Sequence, residues 1–214
     1  MSKFLAPIHF WLFDKINLHE AMEMDFRSKL INDTNESLIS TIKNEFGAVI
    51  GTTALEEIID QGNIHGWLQA QITNAEKRQA FLITNLIATD KESTLKAANE
   101  TYFEFGKSAG EKALAEKSVS NTQDIYNQLN NHLLEGMPCD RVNSVSEVSD
   151  THISWITSRC LHKDYWDQVG GDIHVYYELK SSFINGFLSG LNTKFTYSFE
   201  DATDPSALFV HKIV

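Results

Sequence analysis

The apolar pattern first changes from helix to strand period at Gly136-Met137-Pro138, and that change limits the folds open to this chain. Before it, apolar residues recur at three- and four-residue steps, the spacing of a helix face. After it come runs rich in Val, Ile, Ser, Thr and Trp, and some of these alternate as strands do. A chain that is helical first and strand-rich last predicts an α+β fold. The expected form is a helical N-terminal two thirds packed on a small antiparallel sheet. Residues 1–136 form the mainly helical part and residues 137–214 a strand-strand-helix-strand-strand part. No repeat or low-complexity linker divides them, so one domain over 1–214 is expected.

Local signals place the elements. Ala6-Pro7 starts the first helix, because proline suits a first turn that needs no amide hydrogen. The apolar run from Phe4 to Phe13 is too short to span a bilayer and reads as the start of a buried helix. Asn32-Asp33-Thr34-Asn35 breaks the pattern, and Asn121 caps the last helix of this part. Gly106, Ala109, Gly110 and Ala113 lie close together on one helix, where small residues let another helix approach. Arg141–Val148 and His152–Cys160 form a hairpin around Ser149-Asp150-Thr151. Gly170-Gly171-Asp172 opens a helix that holds its period from Ile173 to Leu191 and ends at Asn192. Phe195–Phe199 and Leu208–Ile213 are the closing strands, joined by a polar turn over Glu200–Ser206.

Charge and composition exclude several functions. Lys and Arg total 18 against 29 Asp and Glu, a net charge of −11. Neither half of the chain is basic, so no face is built for a phosphate backbone, and no nucleic-acid partner is expected. No membrane-length apolar window occurs. Two cysteines, Cys139 and Cys160, are too few for a secreted disulfide framework and suit reduced thiols in a cytoplasm. There is no Gly-x-Gly-x-x-Gly, phosphate loop, His-Glu-x-x-His or Gly-x-Ser-x-Gly.

Chemistry concentrates in Arg159-Cys160-Leu161-His162-Lys163-Asp164-Tyr165-Trp166. In an extended segment Cys160 and His162 share a face. That pairing suits a Cys nucleophile with a His base, or a soft metal pair. A plain strand end with a buried cysteine and a surface histidine is the third reading. The hairpin brings Cys139 and Asp140 to the same end as Cys160. A single zinc ion would then take Cys139, Cys160 and His162, with His174 or Asp164 as a fourth ligand. Arg159 and Lys163 are the candidate partners for a small acid. Trp155, Trp166, Tyr176 and Tyr177 are candidate pocket walls, and His174, in the first turn of its helix, is a donor to an acidic ligand.

From about Cys139 to Val214 the chain resembles the C-terminal module of the L-2-amino-thiazoline-4-carboxylic acid hydrolase-like proteins. It is similar, more distantly, to the 4-vinyl-reductase-type small-molecule-binding domains. The shared pattern is a hairpin ending in Arg159-Cys160, a glycine-containing loop, a long helix and a closing hairpin. The resemblance implies an α+β domain with a ligand cavity, often a homodimer. One departure stands out. Where those families often carry Gly-Asp-x-x-Cys in the last hairpin, this chain has Asp204-Pro205-Ser206-Ala207-Leu208, without the cysteine. The expected function is a small-molecule-binding module, a sensor or assembly domain. The alternative is a cysteine- or metal-dependent hydrolase of a small cyclic or amino-acid-like acid, cutting a C–N or C–S bond, with Cys160 as nucleophile and His162 as base.

Overall fold

The computed structural model describes residues 5–32, 35–204 and 206–214. Phe4, Asp33, Thr34 and Pro205, which the sequence reading places in the first apolar run, the first break and the last polar turn, lie outside them. The fold is α+β, as the change of period requires. Helices α1 (Pro7–Leu30), α2 (Glu36–Phe46), α3 (Leu55–Ile58), α4 (Ile64–Thr89), α5 (Lys91–Ala115) and α6 (Thr122–Asn130) come first. Strands β1 (Asn143–Val148) and β2 (Ile153–Thr157) follow. Then come helices α7 (Lys163–Gln168) and α8 (Ile173–Gly190) and strands β3 (Tyr197–Asp201) and β4 (Phe209–Ile213). Among the described residues no helix is long and apolar enough to cross a membrane.

The chain divides into two compact units. One comprises residues 1–98 and 164–173, the other 99–163 and 174–214. The division falls inside α5 rather than at the change of period, so α5 from Asn99 onward and α6 belong with the sheet.

In the first unit the buried stripe of α1 carries Leu12, Phe13, Ile16, Met22 and Phe26. The same helix also buries Glu20 and Glu23, and both pair with Arg78 of α4. Arg78 further donates to the Ala48 carbonyl at 3.4 Å, and Glu20 accepts the Ile50 amide at 2.8 Å. The segment that leaves α2 at Gly47 is thereby tied to both helices. Asn63 caps α4 by accepting the Gly66 amide. Trp166 belongs to this unit and is fully buried, with Gly171 against its ring.

In the second unit the sheet order is β1-β2-β4-β3, antiparallel throughout. Period-2 alternation puts Asn143, Ile153, Trp155, Thr157, Phe209, His211, Ile213, Tyr197 and Phe199 on one face. This face is covered from within the unit. Tyr177 of α8 meets Phe199 and Phe209, and Tyr126 of α6 meets Trp155. Asn121 caps α6 through the Asp124 amide at 2.9 Å.

α8 has a second buried stripe, and it touches backbone. A Cβ at Gly106 or Gly110 of α5 would overlap the carbonyl oxygens of Phe183 and Phe187 on α8. A Cβ at Gly186 or Gly190 of α8 would overlap those of Phe103 and Lys107 on α5. Each helix therefore offers a Gly-x-x-x-Gly ridge to the other, and any side chain there would push the axes apart. Asn99 adds side-chain bonds across the same pair, donating to Glu178 at 2.6 Å and accepting from Ser182 at 2.5 Å. Gly106→Ala and Gly186→Ala are each expected to destabilise the protein by about 3 kcal/mol, the upper part of the overpacking range. A shift of the urea midpoint checks this, and an unchanged midpoint would contradict the backbone contact.

Candidate functional site

The second unit buries a cluster of ionisable side chains that its core packing does not require. Lys180 comes from the sheet-facing stripe of α8, which it shares with Tyr177, Ile184 and Leu188. Glu135 comes from the short link between α6 and the 3-10 turn Pro138–Asp140. Gly136, at φ +73°, reverses the chain directly after it, against the Leu161 side chain. Asp140 closes that reversal by accepting the Met137 amide at 2.9 Å. His162 precedes α7, and Tyr176 lies in the first turns of α8.

Lys180 Nζ stands 2.5 Å from Glu135 Oε1, with the two side chains 4% and 9% exposed. The other carboxylate oxygen lies 3.6 Å from His162 Nε2, an electrostatic contact rather than a hydrogen bond. That nitrogen is hydrogen-bonded to the Tyr176 hydroxyl at 2.7 Å, and the two rings stack 3.9 Å apart. Burial, and then the neighbouring Cys160, raise the Tyr177 hydroxyl above the ordinary phenol value. Burial alone would raise the Glu135 carboxyl. The Lys180 ammonium and the His162 ring outweigh it and hold the group well below the usual carboxylate range. Lys180 and Glu135 thus form an ion pair. Among the described residues Glu135 is the one carboxylate beside Lys180 Nζ. Glu135 Oε1 is among the buried atoms without an aligned hydrogen bond, so the contact is a charge pair rather than a well-directed hydrogen bond.

A second polar series crosses the whole sheet. Thr157 Oγ1 donates to Asn143 Oδ1 at 2.5 Å and stands 2.9 Å from His211 Nε2. With its one proton committed to Asn143, Thr157 accepts from Nε2–H. His211 Nδ1 is then the acceptor for the Tyr197 hydroxyl, 2.7 Å away. The bonds run Tyr197 to His211 to Thr157 to Asn143, one residue per strand. Trp155 stacks on His211 at 5.0 Å and 9°. Burial, and then the nearby Lys180 charge, push the His211 pKa down to about 3, so the ring is neutral, as the bond directions require.

The sequence-predicted residues divide between this cluster and other places. Cys160, His162, Tyr176 and Tyr177 are brought together in it. The extended geometry expected for 159–162 does not hold. β2 ends at Thr157, the chain bends at Arg159, Leu161 and His162, and Cys160 Sγ accepts the Lys163 amide at 3.3 Å. That i to i+3 bond turns the segment into α7. Cys160 therefore faces Lys163 and Tyr177, whereas His162 faces Glu135 and Tyr176.

Arg159 is exposed and pairs with Asp140 at 3.1 Å, which confirms that the two hairpin ends meet. His174 is exposed on α8, Trp166 is in the first unit, and Lys163 contributes its backbone amide. Cys139 and Cys160 are both free thiols. Among the described residues no group of three or more His, Cys, Asp or Glu is arranged to hold a metal, so Cys139, Cys160 and His162 are not gathered into a zinc site. Sequence reasoning missed Glu135, Lys180 and His211. The available signal was a lysine on the apolar face of α8. No family model, curated protein or solved structure matches the chain.

The His211 environment sets a pH dependence. The unfolded chain takes up a proton near the ordinary value of 6.5, and the folded protein refuses it down to about 3. Between those values the unfolded state binds more protons, so stability falls as pH falls, by up to about 1.4 kcal/mol per pH unit. The depressed Glu135 carboxyl acts in the same direction once pH drops below the ordinary carboxylate range. Urea midpoints measured from pH 7 down to pH 4 are expected to fall less steeply in His211→Gln than in the parent, and parallel curves would count against a neutral buried imidazole.

Proposed function

We propose that the second unit is a small-molecule-binding module whose ligand is a small acid, held at Lys180. One observation carries this reading: among the described residues a buried lysine stands beside one carboxylate, Glu135, in a cluster that also holds His162 and Tyr176. A ligand oxygen would accept a hydrogen bond from that ammonium. Tyr176, Tyr177 and Trp155 would be the walls of such a site, a composition common in ligand pockets. Stability does not account for the arrangement, because a buried ion pair is seldom better than an apolar pair of the same volume. The local charge is balanced despite the acidic chain, so the net charge of −11 does not oppose a small anion here.

Thermal unfolding in the presence of acetate, glyoxylate and larger carboxylic acids tests the proposal. At least one acid is expected to raise the melting temperature with saturation. The double variant Lys180→Met with Glu135→Gln leaves no unpaired buried charge and is expected to fold and to lose the shift. Equal shifts in both proteins would place binding elsewhere.

A second reading has an observation of its own. Cys160 Sγ accepts the Lys163 amide and lies beside Tyr177, so the thiol that the hydrolase reading takes as nucleophile is held in place. Cys139 is exposed and serves as an internal reference. For a binding module Cys160 is expected to alkylate more slowly than Cys139 with iodoacetamide at neutral pH. A faster Cys160 would turn the assignment toward the cysteine hydrolase.

A further inference from the structure

We infer that Lys180 forms an imine with the carbonyl carbon of a small oxo acid. This rests on the acid-binding reading and narrows the ligand class to acids that also carry an aldehyde or ketone.

The arrangement has the three parts that an amine nucleophile needs. Lys180 is the nucleophile. Glu135, 2.5 Å from it, is the nearest group to carry its proton; the pair rests in its charged form, so the free amine arises only transiently. The far oxygen of Glu135 faces His162, which is itself held by Tyr176, so the base is oriented by a third group. The nearest charged group to Lys180 is therefore also its proton carrier.

The proton and charge balance closes without a further reactant. The ammonium passes a proton to Glu135, leaving a neutral amine and a neutral acid. The nitrogen lone pair attacks the carbonyl carbon, the C=O π bond breaks onto oxygen, and a proton passes from the new N+–H to that oxygen to give the neutral carbinolamine. The carbinolamine C–O bond then breaks. The hydroxyl leaves as water with the proton from Glu135, and the nitrogen lone pair closes the C=N bond. An ammonium plus a carbonyl compound has become an iminium plus water. The iminium carries the same single positive charge and faces the same carboxylate. The covalent step itself leaves the charge count unchanged, and the only charge added to the site is the acid's own carboxylate, which enters with the ligand. His211, stacked under Trp155 and neutral, adds no competing positive charge. Exposed lysines such as Lys112 have a solvated neighbour in Glu116 and no such enclosure.

Glyoxylate with cyanoborohydride tests this on the whole chain. Hydride reduces the imine and leaves a carboxymethyl group on Nζ, which intact-mass measurement and peptide mapping locate. Lys180 is expected to be modified faster than Lys112 by roughly a hundredfold, the lower end of what a positioned acid–base group supplies. Lys180→Arg keeps a cation beside Glu135 and cannot form an imine, and it is expected to lose that adduct while remaining folded. Acetate run in parallel separates the two claims. Stabilisation by acetate or glyoxylate with no adduct at Lys180 overturns the imine and leaves acid binding in place. Adducts on exposed lysines alone overturn it equally. Neither stabilisation nor an adduct removes both.

Discussion

The backbone contact between α5 and α8 is the constraint on which the second unit turns. Two helices that meet through glycine ridges have little freedom in separation or in rotation about their axes. Gly106 and Gly110 face Phe183 and Phe187, and Gly186 and Gly190 face Phe103 and Lys107, so the match is reciprocal along the contact. Once that stripe of α8 is fixed, the stripe about a third of a turn away is fixed too. Tyr177 then meets Phe199 and Phe209, and Lys180 one turn on is committed to the interior. A lysine there cannot reach water by a small rotation of the helix. The close approach of two backbones is thus the reason that a cation is buried at all.

The contrast with the first unit shows what is unusual about Lys180. Arg78 is also buried, and each of its three nitrogens donates to a protein oxygen: two carboxylates and the Ala48 carbonyl. Glu20 uses its second oxygen on the Ile50 amide. That network is occupied by the fold itself and joins α1, α4 and the segment after α2. Lys180 stands beside one carboxylate, Glu135, among the described residues. Guanidinium geometry suits several fixed acceptors at once, whereas an ammonium is compact and chemically convertible. The two buried cations therefore have different physical characters. One is a tie between elements, and the other is half of a single charge pair.

Much of this architecture is legible in residue spacing. The change of period at Pro138, the caps at Asn63 and Asn121, and the strand alternation of Tyr197 and Phe199 are local signals, and local energetics is what a sequence displays. Gly106 and Gly110 announce a close helix contact, but their partners Gly186 and Gly190 sit inside a strongly apolar run and read as ordinary core. Cys160, His162, Tyr176 and Tyr177 stand out by chemistry and do converge. Their pairing is not legible, because the bend after Thr157 depends on Cys160 accepting the Lys163 amide rather than on any strand preference. Glu135 and Lys180 escape notice for a deeper reason. Each is an ordinary charged residue in its own neighbourhood, and only tertiary approach makes them an ion pair.

The sheet-wide bond series gives the cluster its electrostatic setting. Had His211 been protonated, a second cation would stand near Lys180 and draw Glu135 into two competing pairs. The one proton of Thr157 prevents this: committed to Asn143, it fixes the His211 tautomer, which in turn makes the Tyr197 hydroxyl a donor. Protonating the ring would set an N–H against that donor and break the series at its centre. Burial and bond direction thus agree on a neutral imidazole, and the agreement leaves the Glu135 carboxylate to Lys180 and His162. A single threonine hydroxyl on β2, far in sequence from both members of the ion pair, helps decide how many charges the cluster holds.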